Sequence, residues 1–208
     1  MGWAELSAAF IVTTGVCWAV IRTPLAQRVL DRPNDRSLHD TPTPRAGGVA
    51  IWFGLAAAGL AAWLVPAGGA ASGTPWPASL AVAFTVLAAL GIADDRRGLP
   101  MSVRLVIQAA TVVAYVVASG LAPRVLTVFG LPLVLGVFAV PITAIGALWT
   151  LNLYNFMDGM DGFAGAMTVV GFSTLSWLAW TAGQDGLAAV AAWPAAAALG
   201  FLTLNLPP

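Results

Sequence analysis

The chain has 208 residues, of which 59% are hydrophobic and only 9% are charged. A soluble domain carries roughly a quarter of its residues as Asp, Glu, Lys and Arg, so this composition excludes a water-covered enzyme, a nucleic-acid binder and a disordered chain. The 9 basic residues are all arginine and 9 acids balance them to zero net charge, so the electrostatic information lies in where charges fall and not in their sum. The lone Cys17 sits in an apolar run, which excludes an internal disulfide and a cysteine-built zinc site.

Charged residues leave uncharged intervals at 6–21, 46–93, 105–123, 125–157, 162–184 and 186–208. A helix rising about 1.5 Å per residue needs roughly 17–25 residues to cross the hydrocarbon layer. The interval 46–93 therefore holds two crossings, broken at the Pro/Gly/Ser-rich stretch 66–77. The pattern predicts an all-α polytopic membrane bundle of seven helices, over 4–22, 47–65, 78–93, 102–119, 134–154, 163–181 and 187–204, with 125–133 irregular or briefly extended. The first helix is retained and not a cleaved signal peptide, because Glu5 precedes its apolar core and Arg22 follows it, the reverse of a signal peptide's charge order. In the second, Ala50, Gly54, Ala58 and Ala62 form a small-residue stripe that predicts close helix contact. With no internal repeat and no soluble second domain, residues 1–208 read as a single transmembrane domain.

Arginine placement predicts sidedness, because cytoplasmic loops near helix ends retain positive charge. With the N-terminus on the periplasmic side, Arg22, Arg28, Arg32, Arg36, Arg45, Arg96, Arg97 and Arg104 are cytoplasmic and only Arg124 lies opposite. Asp31, Asp35, Asp40, Asp94, Asp95, Asp158 and Asp161 then share the cytoplasmic side, leaving Glu5 and Asp185 across the membrane.

Three polar clusters fall on that predicted side. Residues 31–48 combine prolines, arginines and the Gly47-Gly48 pair at the start of a helix, parts suited to phosphate as well as to an ordinary positively charged loop. Asp94 and Asp95 end the third span; adjacent carboxylates there need a cation, a nearby arginine or a proton-transfer role, and neutralisation by Arg96 and Arg97 is the simplest account. In the third cluster Asn152, Asn155, Asp158 and Asp161 recur every three residues, so a helical stretch presents neighbouring members on one face. An all-oxygen set without His or Cys suits a hard cation such as Mg²⁺. Helix capping is the competing explanation, since Asn and Asp favour helix ends.

Together these segments resemble the polyprenyl-phosphate N-acetylhexosamine-1-phosphate transferase family. The resemblance rests on Asp31-Arg-Pro-Asn-Asp-Arg-Ser-Leu-His with Pro42-Thr-Pro-Arg, on Asp94-Asp95, and on Asn152-Leu-Tyr-Asn-Phe-Met-Asp-Gly-Met-Asp-Gly. The loop at Pro42 is most similar to the branch that starts surface polysaccharides such as O-antigen. The resemblance implies a bacterial inner-membrane enzyme with a cytoplasmic site. The reaction it implies is attack of undecaprenyl phosphate on a UDP-N-acetylhexosamine, with UMP leaving and a lipid diphosphate sugar forming to begin cell-envelope glycan synthesis. It further implies Asn155 as the Mg²⁺ ligand, Asp94 and Asp95 as the catalytic acidic pair, and Asn152, Asp158 and Asp161 at the nucleotide-sugar pocket. Arg45 and Arg104 are weaker candidates for phosphate contact, argued from charge and sidedness. A homodimer is left open.

Three departures stand out. Ala46-Gly47-Gly48 replaces a run of three glycines, and Arg96, Arg97 and Gly98 stand where some relatives carry a third Asp or a Lys. Family members also continue beyond a segment like Phe201–Pro208 into a Gly-Asp loop carrying a second Mg²⁺ ligand, so the resemblance implies the N-terminal portion of a longer transferase, one not expected to hold Mg²⁺ productively alone. The alternatives are a transporter or an inactive scaffold. A transporter is expected to hold acids at mid-depth of its spans, whereas these acids gather at span boundaries.

Overall fold

The structure, a computed structural model, describes residues 2–23, 30–31, 43–44, 47–65, 78–157 and 162–205. In chain order they form α1 (Trp3–Arg22), β1 (Leu30–Asp31), β2 (Thr43–Pro44), α2 (Gly47–Leu64), α3 (Ala78–Arg97), α4 (Met101–Ser119), β3 (Val125–Val128), β4 (Leu131–Val134), a 3-10 turn (Gly136–Phe138), α5 (Ala139–Met157), α6 (Phe163–Thr181) and α7 (Asp185–Asn205). Among the described residues seven helical segments are long and apolar enough to cross a membrane, as expected for an all-α polytopic membrane protein.

Two helix boundaries differ instructively from the expected ones. α3 continues to Arg97 because nothing in Asp-Asp-Arg-Arg breaks a helix, and two arginines in its last turn favour the negative end of the helix dipole. Gly98, at φ +59°, then stops it, and its N–H returns to the Asp94 carbonyl at 2.8 Å. α5 starts at Ala139 instead of 134 because Leu131–Val134 pair with β3 in an antiparallel hairpin. That hairpin is the short extended piece expected at 125–133.

The chain separates into two compact units, one of residues 1–76 with 157–208 and one of residues 77–156. In the first, α7 is the central helix, packed against α1, α2 and α6, with more than half of its span buried against less than a quarter for any other. Alanine makes this possible: Ala188, Ala189, Ala191, Ala192, Ala195, Ala197 and Ala198 are all buried, so neighbouring backbones approach closely. α1 buries Glu5, Ala9, Thr13 and Cys17, a strict four-residue stripe, and α2 buries Ala50, Gly54 and Ala58 with the same spacing. The two helices pack on each other through such i±4 ridges. Gly54 is required there, since a Cβ would meet the Thr13 hydroxyl and lie 2.7 Å from the Ala9 carbonyl oxygen. The predicted small-residue stripe of α2 is thus a contact surface for α1.

Polar groups buried in this unit are mostly satisfied. Trp193 Nε1 donates to Glu5 Oε2 at 3.1 Å, Thr14 Oγ1 donates to the Gly200 carbonyl at 3.1 Å, and Ser176 Oγ donates to the Ala188 carbonyl at 2.7 Å. Among the described residues the exception is the Thr13 hydroxyl, buried with no hydrogen-bond partner.

In the second unit α3 packs on α4, and α4 meets α5 through Val112, Val116 and Ala144, with Tyr115, Val140, Ala147 and Leu151 around them. Packing of α3 on α4 across a turn of three residues, and the 108–152 link together with the cluster of Val112, Val116 and Ala144, make both pairings antiparallel. The C-terminal ends of α3 and α5 and the N-terminal end of α4 therefore lie at one end of the unit, and the β3–β4 hairpin lies at the other.

Candidate active site

The shared end of the second unit collects Asp94, Asp95, Arg104, Asn152 and Asn155. Asp94 sits in the last turn of α3 with both carboxylate oxygens engaged. Oδ1 accepts the Leu99 N–H at 2.9 Å and Oδ2 accepts Arg104 Nη1 at 2.6 Å. The first bond ties down the turn between the helices. The second reaches the first turn of α4, where the positive end of that helix also favours a carboxylate. Asp94 and Arg104 are about one-quarter exposed, at 26% and 28%, so the pair is partly withdrawn from water without being desolvated. For Asp94 the neutralising arginine is thus Arg104 of the next helix, and not the adjacent Arg96 or Arg97. Asp95, next on the same helix, is exposed.

One turn further along α4, Gln108 Oε1 accepts a hydrogen bond from Asn152 Nδ2 at 3.2 Å. The same Nδ2 donates to the Leu148 carbonyl one turn back on α5 at 2.9 Å. Asn155 follows on the last turn of α5 and is exposed. The three-residue spacing places Asn152 and Asn155 on neighbouring positions of one helical face, as the sequence predicts. Arg104 and Gln108, at i and i+4 on α4, form the facing polar pair.

Arg45, Asp158 and Asp161 lie outside the described residues. Sequence reasoning missed Gln108. Its signal was modest but present, as the sole carboxamide in the uncharged interval 105–123. It also missed that Asp94 is a tether for a turn, which demanded knowing that α4 begins at Met101.

Among the described residues no group of three or more His, Cys, Asp or Glu side chains is placed to hold a metal ion. The oxygen donors present at this end are the carboxamides of Gln108, Asn152 and Asn155 and the carboxylates of Asp94 and Asp95. That set suits Mg²⁺, which takes one or two protein oxygens and fills its shell with water and phosphate.

Fold and site together define a polytopic helical membrane protein with an acid, arginine and carboxamide cluster at the shared end of three helices. Glycosyl transferase family 4 matches residues 77–208, more than half of the chain and all of the described cluster. The chain belongs to that family. A protein of Bacillus subtilis described as a probable undecaprenyl-phosphate N-acetylglucosaminyl 1-phosphate transferase is 32% identical over 162 residues, covering 73% of this chain and 41% of the relative. Decaprenyl-phosphate N-acetylglucosaminephosphotransferase of Mycolicibacterium smegmatis is 39% identical over 98 residues, 45% of this chain and 23% of the relative. The enzyme of the same description from Mycobacterium leprae is 44% identical over 69 residues, 32% of this chain and 17% of the relative. The chain thus spans about two-fifths or less of the length of these relatives. No solved structure matches.

Proposed function

We propose that this chain supplies part of the active site of a transferase that moves N-acetylhexosamine-1-phosphate from a UDP-sugar to undecaprenyl phosphate at the cytoplasmic face of the bacterial inner membrane. The observation that carries the reading is the cluster of Asp94, Arg104, Gln108, Asn152 and Asn155 at one end of α3, α4 and α5, inside the segment that matches the family. Arginine placement supports the sidedness, with the N-terminus periplasmic and that cluster inward. The relatives' descriptions support the lipid and the aminosugar.

In the reaction an oxygen of the lipid phosphate bonds to the β-phosphorus of the nucleotide sugar. The bond from that phosphorus to the oxygen bridging the two phosphates breaks, and UMP leaves with the electron pair. Such transfers need positioning and neutralisation of oxygen charge more than covalent help. Arg104 meets this need: Asp94 holds one edge of its guanidinium, leaving other N–H groups for phosphate oxygens. The lipid phosphate is already ionised near neutrality, so a strong base is not demanded. Asp94 serves by orienting Arg104, and Asp95, next to it on α3, is assigned to substrate or metal. Mg²⁺, held by Asn155 with Asp158 and Asp161 nearby in sequence, would neutralise diphosphate oxygens when bound. Asn152 contacts the nucleotide sugar.

Membranes carrying a full-length form should release UMP from UDP-N-acetylglucosamine when given undecaprenyl phosphate and Mg²⁺. EDTA should abolish the release, and Asn155→Ala should lower it roughly 100-fold, at the upper end of losses seen when metal-site support is removed. Release that ignores EDTA, or an Asn155→Ala enzyme as fast as its parent, would defeat the assignment.

A further inference from the structure

The carboxamide of Asn152 has two N–H donors and one carbonyl acceptor. Both donors are committed, one to Gln108 Oε1 at 3.2 Å and one to the Leu148 carbonyl at 2.9 Å. The acceptor, Oδ1, has no hydrogen-bond partner among the described residues. The backbone contact alone does not set the orientation of the group, because Leu148 belongs to the same helix and moves with Asn152. Gln108 comes from α4, the helix that also carries Arg104 one turn away, and among the described residues it is the one partner that ties the carboxamide to the rest of the cluster.

We infer that Gln108 is a positioning residue: by accepting from Asn152 Nδ2 it fixes the carboxamide so that Oδ1, an acceptor, is what Asn152 presents to a ligand. A carbonyl oxygen repels phosphate oxygens and pairs with O–H or N–H groups. With the metal assigned to Asn155, an oxygen presented by Asn152 reads a hydroxyl or N–H of the nucleotide sugar, and phosphate recognition is left to Arg104. This assignment of ligand chemistry rests on the transferase reading, whereas the orientation of Asn152 does not.

Two variants separate the roles. Gln108→Met keeps the length of the side chain and removes the acceptor; Gln108→Glu keeps an acceptor oxygen at the same distance. In the full-length enzyme Gln108→Met should raise KM for the UDP-sugar about tenfold, the size of one hydrogen bond lost from ground-state binding. It should leave kcat and KM for undecaprenyl phosphate within about threefold, changes worth under one hydrogen bond. Gln108→Glu should restore the UDP-sugar KM to within the same margin. The Met variant combined with Asn152→Leu should be no worse than Asn152→Leu alone, because both remove one shared interaction. An independent arm uses the 208-residue chain in detergent with ¹⁵N-labelled asparagine. The Asn152 side-chain amide protons should exchange slowly in the parent and in Gln108→Glu, and fast in Gln108→Met. Equal exchange in all three, Gln108→Glu as impaired as Gln108→Met, or additive losses in the double variant would overturn the inference. If exchange behaves as stated and the full-length parent transfers nothing, the transferase reading fails while the positioning role of Gln108 stands.

Discussion

Arg104 Nη1 donates to Asp94 Oδ2 at 2.6 Å, joining the first turn of α4 to the last turn of α3 across a turn of three residues. Asp94 Oδ1 holds the Leu99 N–H inside that turn. One side chain thereby does two separable jobs, and amide substitution tells them apart. Asp94→Asn keeps an acceptor for Leu99 and loses the ion pair, which at this exposure contributes at most about 1 kcal/mol. Asp94→Ala loses the turn bond as well, a further 1 kcal/mol or so. Thermal unfolding of the purified chain in detergent should therefore rank parent, Asp94→Asn, Asp94→Ala in falling stability. Equal losses in the two variants would mean that the Leu99 bond contributes nothing.

Much of this architecture is legible in the sequence because two signals are strong. Membrane crossing requires long uncharged apolar runs, so Glu5, Arg22, Arg104, Arg124 and Asp185 mark span ends almost by themselves. The sixth helix was expected at 163–181 and is Phe163–Thr181. What stayed hidden was the set of decisions made by neighbours. Nothing local in Leu131-Pro-Leu-Val separates a strand from the start of an apolar helix; pairing with Val125–Val128 decides it. The same holds at the site. Residue types announced Asp94, Asn152 and Asn155, but the choice of Arg104 over Arg96 as partner, and of Gln108 as the anchor of Asn152, depends on the antiparallel register of α3, α4 and α5.

The α1–α2 contact offers a direct test of that packing. A Cβ at Gly54 would press on the Thr13 hydroxyl and on the Ala9 carbonyl oxygen, and the latter, being backbone of a well-packed helix, cannot turn aside. Gly54→Ala should cost about 1–3 kcal/mol, the usual range for overfilling a packed interior, even though alanine is the better helix former by up to about 1 kcal/mol. Ala62→Gly, at the partly buried end of the same stripe, should show only the propensity loss. A Gly54→Ala chain as heat-resistant as its parent would place this contact elsewhere.

Thr13 makes the opposite prediction. Its hydroxyl is fully buried without a partner, so it lost its hydrogen bonds to water on folding and regained none. Thr13→Val keeps the shape and removes the unsatisfied group, and should raise stability by about 1 kcal/mol or more. Thr14→Val, which removes the hydroxyl that reaches the Gly200 carbonyl, should lower it by a comparable amount. The two neighbouring substitutions, identical in chemistry, would then move the unfolding midpoint in opposite directions; movement in the same direction would show that Thr13 has found a partner in solution.

The tip of the β3–β4 hairpin carries a backbone cost that can be removed. Phe129 has φ +50° and Gly130 has φ +82°, both positive as the two-residue turn that suits a twisted hairpin requires. For an L-residue with a bulky side chain the left-handed region costs about 1–2 kcal/mol, and Phe129, at 101% exposure, has no packing within the chain to offset it. Asparagine tolerates that region and forms the favoured Asn-Gly turn. Phe129→Asn should therefore stabilise the hairpin and Phe129→Val, β-branched at the same φ, should weaken it further. Hydrogen exchange at the open end of the hairpin, where the Leu135 N–H just after β4 bonds to the Arg124 carbonyl just before β3 at 2.8 Å, reads this locally in micelles. Slower exchange in Phe129→Asn than in the parent is the expected result. Faster exchange would mean that the aromatic ring gains more from the surrounding amphiphile than its backbone loses, and strain would then not govern the turn.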